Sequence, residues 1–306
     1  MKSLENAIYD WLVSYKKNSV KVSTYDRLMV SHDMLRKYSI SSISIDELCT
    51  QDIQDYINEL VDDGYALTTI KKQMHLIGGW IEYANFMGFI ARPIHKGVQM
   101  PVESMVKKHK KQVISYTKQQ QQALKLVLMR GDSMAWYAVI LMLETGARVG
   151  EVLALCWSDI DWGRRALRIN KTVVRLGDSR RSYVQQSAKS FTSNRTIPLS
   201  RDACDLLRYM EETNENNSDF IFHNTRGDFL SYETLRWWTK KACEEAGVPY
   251  YGQHVFRHTF ATNCYEKGCD VKVLSKFLGH SDVTSTYNVY IHLFGDALEE
   301  MRLIVG

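Results

Sequence analysis

The chain has 306 residues, 45% hydrophobic and 24% charged, with a formal net charge of +4. That profile suits a soluble globular protein with room for two domains, and no apolar run approaches the ~20 residues that span a bilayer. The opening MKSLENAIYDWLVSYKK lacks a signal-peptide core, and the six cysteines form no CxxC pair or zinc-finger spacing, so a cytoplasmic protein with free thiols is expected.

In chain order, the first hundred residues read as helices. LENAIYDWLVSYKK places Leu4, Ile8, Trp11 and Leu12 at helical spacing, and KVSTYDRLMVSHDMLRKY follows with Ser23 or Thr24 as N-cap. SIDELCTQDIQDYINELVDDG and LTTIKKQMHLIGGWIEYANFMGF complete a four-helix bundle without strands. Gly78-Gly79 lacks the strand-turn-helix context of a phosphate loop and reads as close helix packing. From Pro101 the chain turns basic, with Lys107, Lys108, His109, Lys110 and Lys111, and residues 102–114 read as an interdomain linker.

The rest, 115–306, reads as a second domain. SYTKQQQQALKLVLMRG and the apolar SMAWYAVILMLETGARVGEVLAL, broken at Gly146, are helical. From Trp157 to Leu199 the period changes, and RALRINKTVVRL and RRSYVQQSAKSFTSNRTIPLS predict a small antiparallel sheet. Helices return in DACDLLRYMEETNE, SYETLRWWTKKACEEAG, HVFRHTFATNCYEKG and DVKVLSKFLGH. The expected fold is therefore mainly α: an N-terminal helical bundle over 1–101, then an α-rich domain with a small antiparallel β-sheet.

Charge is unevenly placed. Residues 1–101 carry 11 basic and 12 acidic side chains, whereas Arg164 to Arg201 carries ten basic residues against one acid, Asp178. Such a run is ordinarily a solvated face; a polyanionic partner is the sharper reading.

Four clusters carry candidate chemistry. TGARVGEVLAL holds Arg148 and Glu151, AKSFTSNRTIPL holds Lys189, HVFRHTFAT holds His254, Arg257 and His258, and LGHSDVTSTYNVYIH holds His280, Tyr287, Tyr290 and His292. Taken singly, each has a bland explanation as a helix break, a turn lysine or packing aromatics. His254 and His258 are spaced like a zinc pair, but Val255 stands where the metalloprotease signature needs Glu.

Two arginines, a lysine, histidines and a tyrosine, with no metal ligands, fit phosphoryl transfer. Attack on a phosphodiester builds negative charge on the non-bridging oxygens, and the planar guanidinium fork matches two of them. A tyrosine can serve as nucleophile, with a histidine taking its proton and a lysine protonating the leaving oxygen.

The order Arg, Lys, His-x-x-Arg, His, Tyr resembles the tyrosine recombinase (phage integrase) family. TGARVGE is similar to its first arginine box, AKSFTSNRTIPL to its lysine hairpin, HVFRHTFAT to its second box and LGHSDVTSTYNVYIH to its terminal box. The resemblance implies a site-specific DNA recombinase acting through a 3′-phosphotyrosine, without metal, cofactor or ATP. By this resemblance Arg148 and Arg257 clamp the scissile phosphate, His280 hydrogen-bonds it, and His254 is an acid/base near the tyrosine. Lys189 protonates the 5′ oxygen, Glu151 supports Arg148, and Tyr290 is the nucleophile, spaced before His292 as the family pattern asks, with Tyr287 as a packing residue. The resemblance also makes 1–101 a core-type DNA-binding domain. Double-stranded recombination sites are the implied partner, in a homotetramer where the amphipathic tail LFGDALEEMRLIVG docks on a neighbour. The larger integrases of the family carry a further arm-type DNA-binding domain; none is read in this sequence, which fits either a simple two-domain recombinase or a piece of a longer chain. A type IB topoisomerase and a catalytically silent DNA-binding regulator are the alternatives.

Overall fold

The computed structural model describes residues 2–106, 114–175, 182–186, 194–214 and 217–280. The chain folds as two compact units, the first holding the chain up to Lys111 and the second most of the rest.

The first unit is built from α1 (Leu4–Trp11), α2 (Val22–Leu35), α3 (Thr50–Asp62) and α4 (Leu67–Phe86). Ser3 caps α1, its hydroxyl accepting from the Asn6 N–H at 3.4 Å, and a π-helical turn over Leu12–Lys16 extends it. The four helices bury one apolar cluster that includes Leu4, Ile8, Trp11, Ile53, Ile70 and Trp80. A Cβ at Gly78 would lie 3.1 Å from the His95 ring, and one at Gly79 3.2 Å from Trp11, so the pair does serve close packing.

Two expectations shift here. The N-cap of α2 is Lys21, without a side-chain cap bond, and Ser23 and Thr24 lie inside the first turn. The third helix starts at Thr50 rather than Ser44. Ser44 pairs with Ser3 in an isolated bridge, while the Asp52 carboxylate accepts the Cys49 N–H at 2.8 Å and fixes the start there.

The second unit opens with α5 (Lys118–Leu128), α6 (Met134–Thr145) and α7 (Val149–Leu153). Thr117 and Gln120 form a reciprocal capping box at the start of α5, with bonds of 3.2 and 3.0 Å. Residues 135–142 of α6 are all buried, as expected of a helix apolar all round. Helices α8 (Arg201–Glu212), α9 (Tyr232–Glu245), α10 (His254–Glu266) and α11 (Val271–Leu278) follow the strands; α6 packs against α8, α9 and α10.

The expected single sheet is two. Strands β1 (Ile160–Asp161), β2 (Ala166–Ile169) and β5 (Arg195–Pro198) form an antiparallel sheet in the order β1-β2-β5, with Leu167 opposite Ile197 and Ile169 opposite Arg195. Strands β3 (Lys171–Arg175) and β4 (Ser182–Gln186) pair separately. Leu167, Ile169 and Ile197 enter the α-helical core, while β3 and β4 stay only half-buried, with Val173 packed against that core. Among the described residues no helix is long and apolar enough to cross a membrane, and all six cysteines are free thiols.

Candidate active site

The site grows from three helix ends. The first lies between α6 and α7. Gly146 ends α6 in the left-handed region at φ 63°, and a Cβ there would meet the Phe260 ring at 2.4 Å. Glycine is thus required both by conformation and by space. The turn delivers Arg148 to the N-cap of α7. Glu151, at the third helical position, reaches back to accept the Arg148 backbone N–H at 2.7 Å and its Nη1 at 2.9 Å.

The second end is the start of α10, which places exposed His254 in its first turn and Arg257 one turn on. Arg257 is buried, its guanidinium donating to the Gly146 carbonyl at 2.9 Å and to the Leu278 carbonyl at 2.6 Å.

The third end is the C-terminus of α11, closed by Gly279 in the left-handed region at φ 69°. A helix C-terminus presents unsatisfied carbonyls and the negative end of the dipole. Here three successive carbonyls each meet a different arginine: Phe277 accepts from Arg195 Nε at 2.6 Å, Leu278 from Arg257, and Gly279 from Arg148 Nη2 at 2.9 Å. Cations from β5, α10 and the α6–α7 turn thus converge on one helix end, immediately before His280.

Electrostatics follow from this packing. Burial raises the Glu151 pKa, but the Arg195 hydrogen bonds and charge, then Arg148, outweigh it and hold the carboxyl down to about 2. Burial lowers His280, and Arg257, Arg148, Arg195 and His258 add to it, bringing the ring to about 4. Burial, His254 and Arg257 likewise lower His258 to about 4. Both imidazoles are therefore neutral near pH 7, each with one donor and one acceptor nitrogen. Three arginines against one glutamate leave net positive charge, as an anion site requires. The Arg148 side chain is 38% exposed, whereas that of Arg195 is 6% exposed and has all three guanidinium nitrogens bonded to protein.

Of the residues expected at the site, the structure brings together Arg148, Glu151, Arg257 and His280. His254 stands beside them, its ring edge-on to His258 at 6.4 Å between centroids. Lys189, Tyr287, Tyr290, His292 and the tail 293–306 lie outside the described residues. Sequence reasoning missed Arg195, whose only sequence signal was membership of the basic run, and left His258 without a role. Among the described residues no group of three or more His, Cys, Asp or Glu is placed to hold a metal ion.

Known proteins match along most of the chain. A tyrosine recombinase XerC-like protein of Caldanaerobacter subterraneus subsp. tengcongensis is 25% identical over 95% of this chain and 79% of its own length. The Tn1549 transposon integrase, solved with transposon right end DNA, superposes with a TM-score of 0.78 at 20% identity over 100% of both chains. A lambda integrase tetramer bound to a Holliday junction gives 0.65 at 18% identity, over 94% of this chain and 77% of that one. The sequence model of the phage integrase family matches residues 103–296, nearly two thirds of the chain and all four boxes. With its two arginine boxes and its terminal histidine folded onto one helix end, the chain belongs to the phage integrase family.

Proposed function

We propose that the chain is a site-specific DNA recombinase that cuts and rejoins DNA through a 3′-phosphotyrosine. The observation that carries this reading is the convergence of Arg148, Arg257 and neutral His280 on the C-terminus of α11. Tyr290 follows His280 by ten residues in the sequence.

In the proposed reaction the Tyr290 phenol oxygen attacks the scissile phosphorus as the P–O5′ bond breaks. His254 takes the phenol proton and Lys189 gives a proton to the leaving 5′ oxygen. Arg148 and Arg257 neutralise the charge that grows on the non-bridging oxygens, and His280 donates a hydrogen bond from its neutral ring. The covalent linkage retains the phosphodiester energy, so a 5′-hydroxyl from the partner strand reseals the backbone without ATP. Residues 1–101 serve as the core-type DNA-binding domain and 115–306 as the catalytic domain. Four copies assemble on two sites, each docking the segment from Leu293 onward on a neighbour. The supports are that segment's amphipathic pattern and the tetrameric assembly of the lambda enzyme.

Covalent trapping tests the reading. The chain is incubated with nicked duplexes carrying the sequences that flank its own coding locus, and denaturant-resistant adducts are counted. Wild type and Tyr287→Phe should form the adduct, and Tyr290→Phe should not. No adduct on DNA that is tightly bound would favour a silent regulator. Relaxation of any supercoiled plasmid without a site requirement would favour a topoisomerase.

A further inference from the structure

We infer that Arg195 is the positioning residue that sets the two phosphate-clamping arginines in register, a role that rests on the recombinase reading above. Its side chain is buried and makes three charge-assisted bonds in two directions. Nη1 and Nη2 grip Glu151 Oε1 and Oε2 at 2.9 and 2.7 Å, and Nε donates to the Phe277 carbonyl at 2.6 Å. The two supports of Arg148 are Glu151 on one side and the end of α11, through Gly279, on the other. Arg195 holds both.

Each Glu151 oxygen is shared: Oε1 accepts from Arg148 Nη1 and Arg195 Nη1, and Oε2 from the Arg148 backbone N–H and Arg195 Nη2. Four donors in two pairs fix the carboxylate's plane as well as its position. The neighbouring carbonyl on α11, that of Leu278, holds Arg257. Without Arg195, α7 and α11 keep their own helical bonds but lose the bidentate link through β5, and the spacing of Arg148 from Arg257 is no longer held. Lysine restores the charge, but its single ammonium does not reproduce the planar bidentate grip with a third bond along Nε.

A buried ion pair can also be purely structural, so the test separates rate from folding. In the full chain, Arg195→Lys, Arg195→Gln and Glu151→Gln are compared with wild type, well below each protein's own melting temperature. The readouts are the duplex Kd and the single-turnover rate of adduct formation at saturating DNA. The expected result is a Kd within about threefold of wild type, because all three Arg195 guanidinium nitrogens are already bonded to protein, and a rate lower by roughly 100-fold for Gln and at least ~10-fold for Lys, the scale of a misaligned reacting group. Combined with Arg148→Lys, Arg195→Lys should slow the reaction little further, since both act through the same guanidinium. If the variants lose melting temperature but the folded fraction reacts at the wild-type rate, Arg195 is structural and the inference fails. Should Arg195→Gln not fold, Arg195→Lys and Glu151→Gln decide by the same criterion. If wild type itself forms no adduct, the recombinase reading fails, and this role with it.

Discussion

Glu151 is a carboxylate buried among cations, and its neighbours are intelligible only in part from the chain. Its bond to Arg148 is an i,i+3 contact at a helix start, which spacing anticipates. Its bond to Arg195 spans 44 residues and has no local signature. Replacing Glu151 by Ala leaves the Arg195 guanidinium buried without its counter-ion, and the expected loss of stability in urea unfolding is about 3–5 kcal/mol. An exposed partner such as Asp10, salt-bridged to Lys2 at 59% exposure, should cost less than about 1 kcal/mol on the same substitution.

The pH dependence has a definite sign. His258 and His280 sit at about 4 in the folded chain against an ordinary 6.5. Between those values the unfolded chain binds protons that the folded one refuses, so stability falls as pH drops from 6.5 toward 4. Glu151, at about 2 against 4.5, contributes above 4.5 and loses its contribution as pH falls toward 2. Both effects act in the same direction. Melting temperature should be nearly flat from pH 7 to 8 and decline steadily below 6.5, and His280→Asn should flatten the upper part of that decline.

At the scale of elements, helix ends rather than helix faces build the site. Two glycines make contrasting predictions. Gly146 has a positive φ and a Cβ would strike Phe260, while Gly268 at φ 80° closes α10 with nothing within 4 Å of its Cβ. Gly268→Ala should cost about 1–2 kcal/mol for the left-handed backbone alone and leave DNA cleavage unchanged. Gly146→Ala should cost more in stability. It should also slow cleavage, because the displaced carbonyl is the one that holds Arg257. Parallel urea titrations and adduct-formation rates distinguish the two. The helices themselves were legible because apolar periodicity and caps are local. The start of α3 was not, because Ser44 is claimed by Ser3 more than forty residues away. The division into two sheets was not either: alternation marks strands but does not say which strand pairs with which.

At the scale of the whole molecule, a main apolar core in each unit and an uneven charge distribution set the expected behaviour. Arg164, Arg165, Arg168 and Arg201 of the basic run are exposed, whereas Arg195 and Lys171 are bound to Glu151 and Asp159. A run that looks uniform in sequence therefore splits into cations available for phosphates and cations committed to the fold. Duplex affinity should fall roughly 10²-fold between 50 and 200 mM salt if the available set neutralises about four phosphates. Charge removal at Arg164 and Arg168 together should flatten that slope in a salt titration, while Lys171→Met should leave it unchanged.

The helices, the break at Gly146 and the order of the four boxes were legible in the chain alone, since these rest on local periodicity, backbone freedom and residue chemistry. So was the grouping of Arg148, Arg257 and His280, through their resemblance to a known set. How they are held is a matter of three-dimensional packing. The end of α11 must satisfy its open carbonyls, and three arginines distant in sequence do so, with Arg195 joined to Arg148 through Glu151. Burial and charge at that end make His258 and His280 neutral, a consequence of spatial crowding that no linear spacing carries.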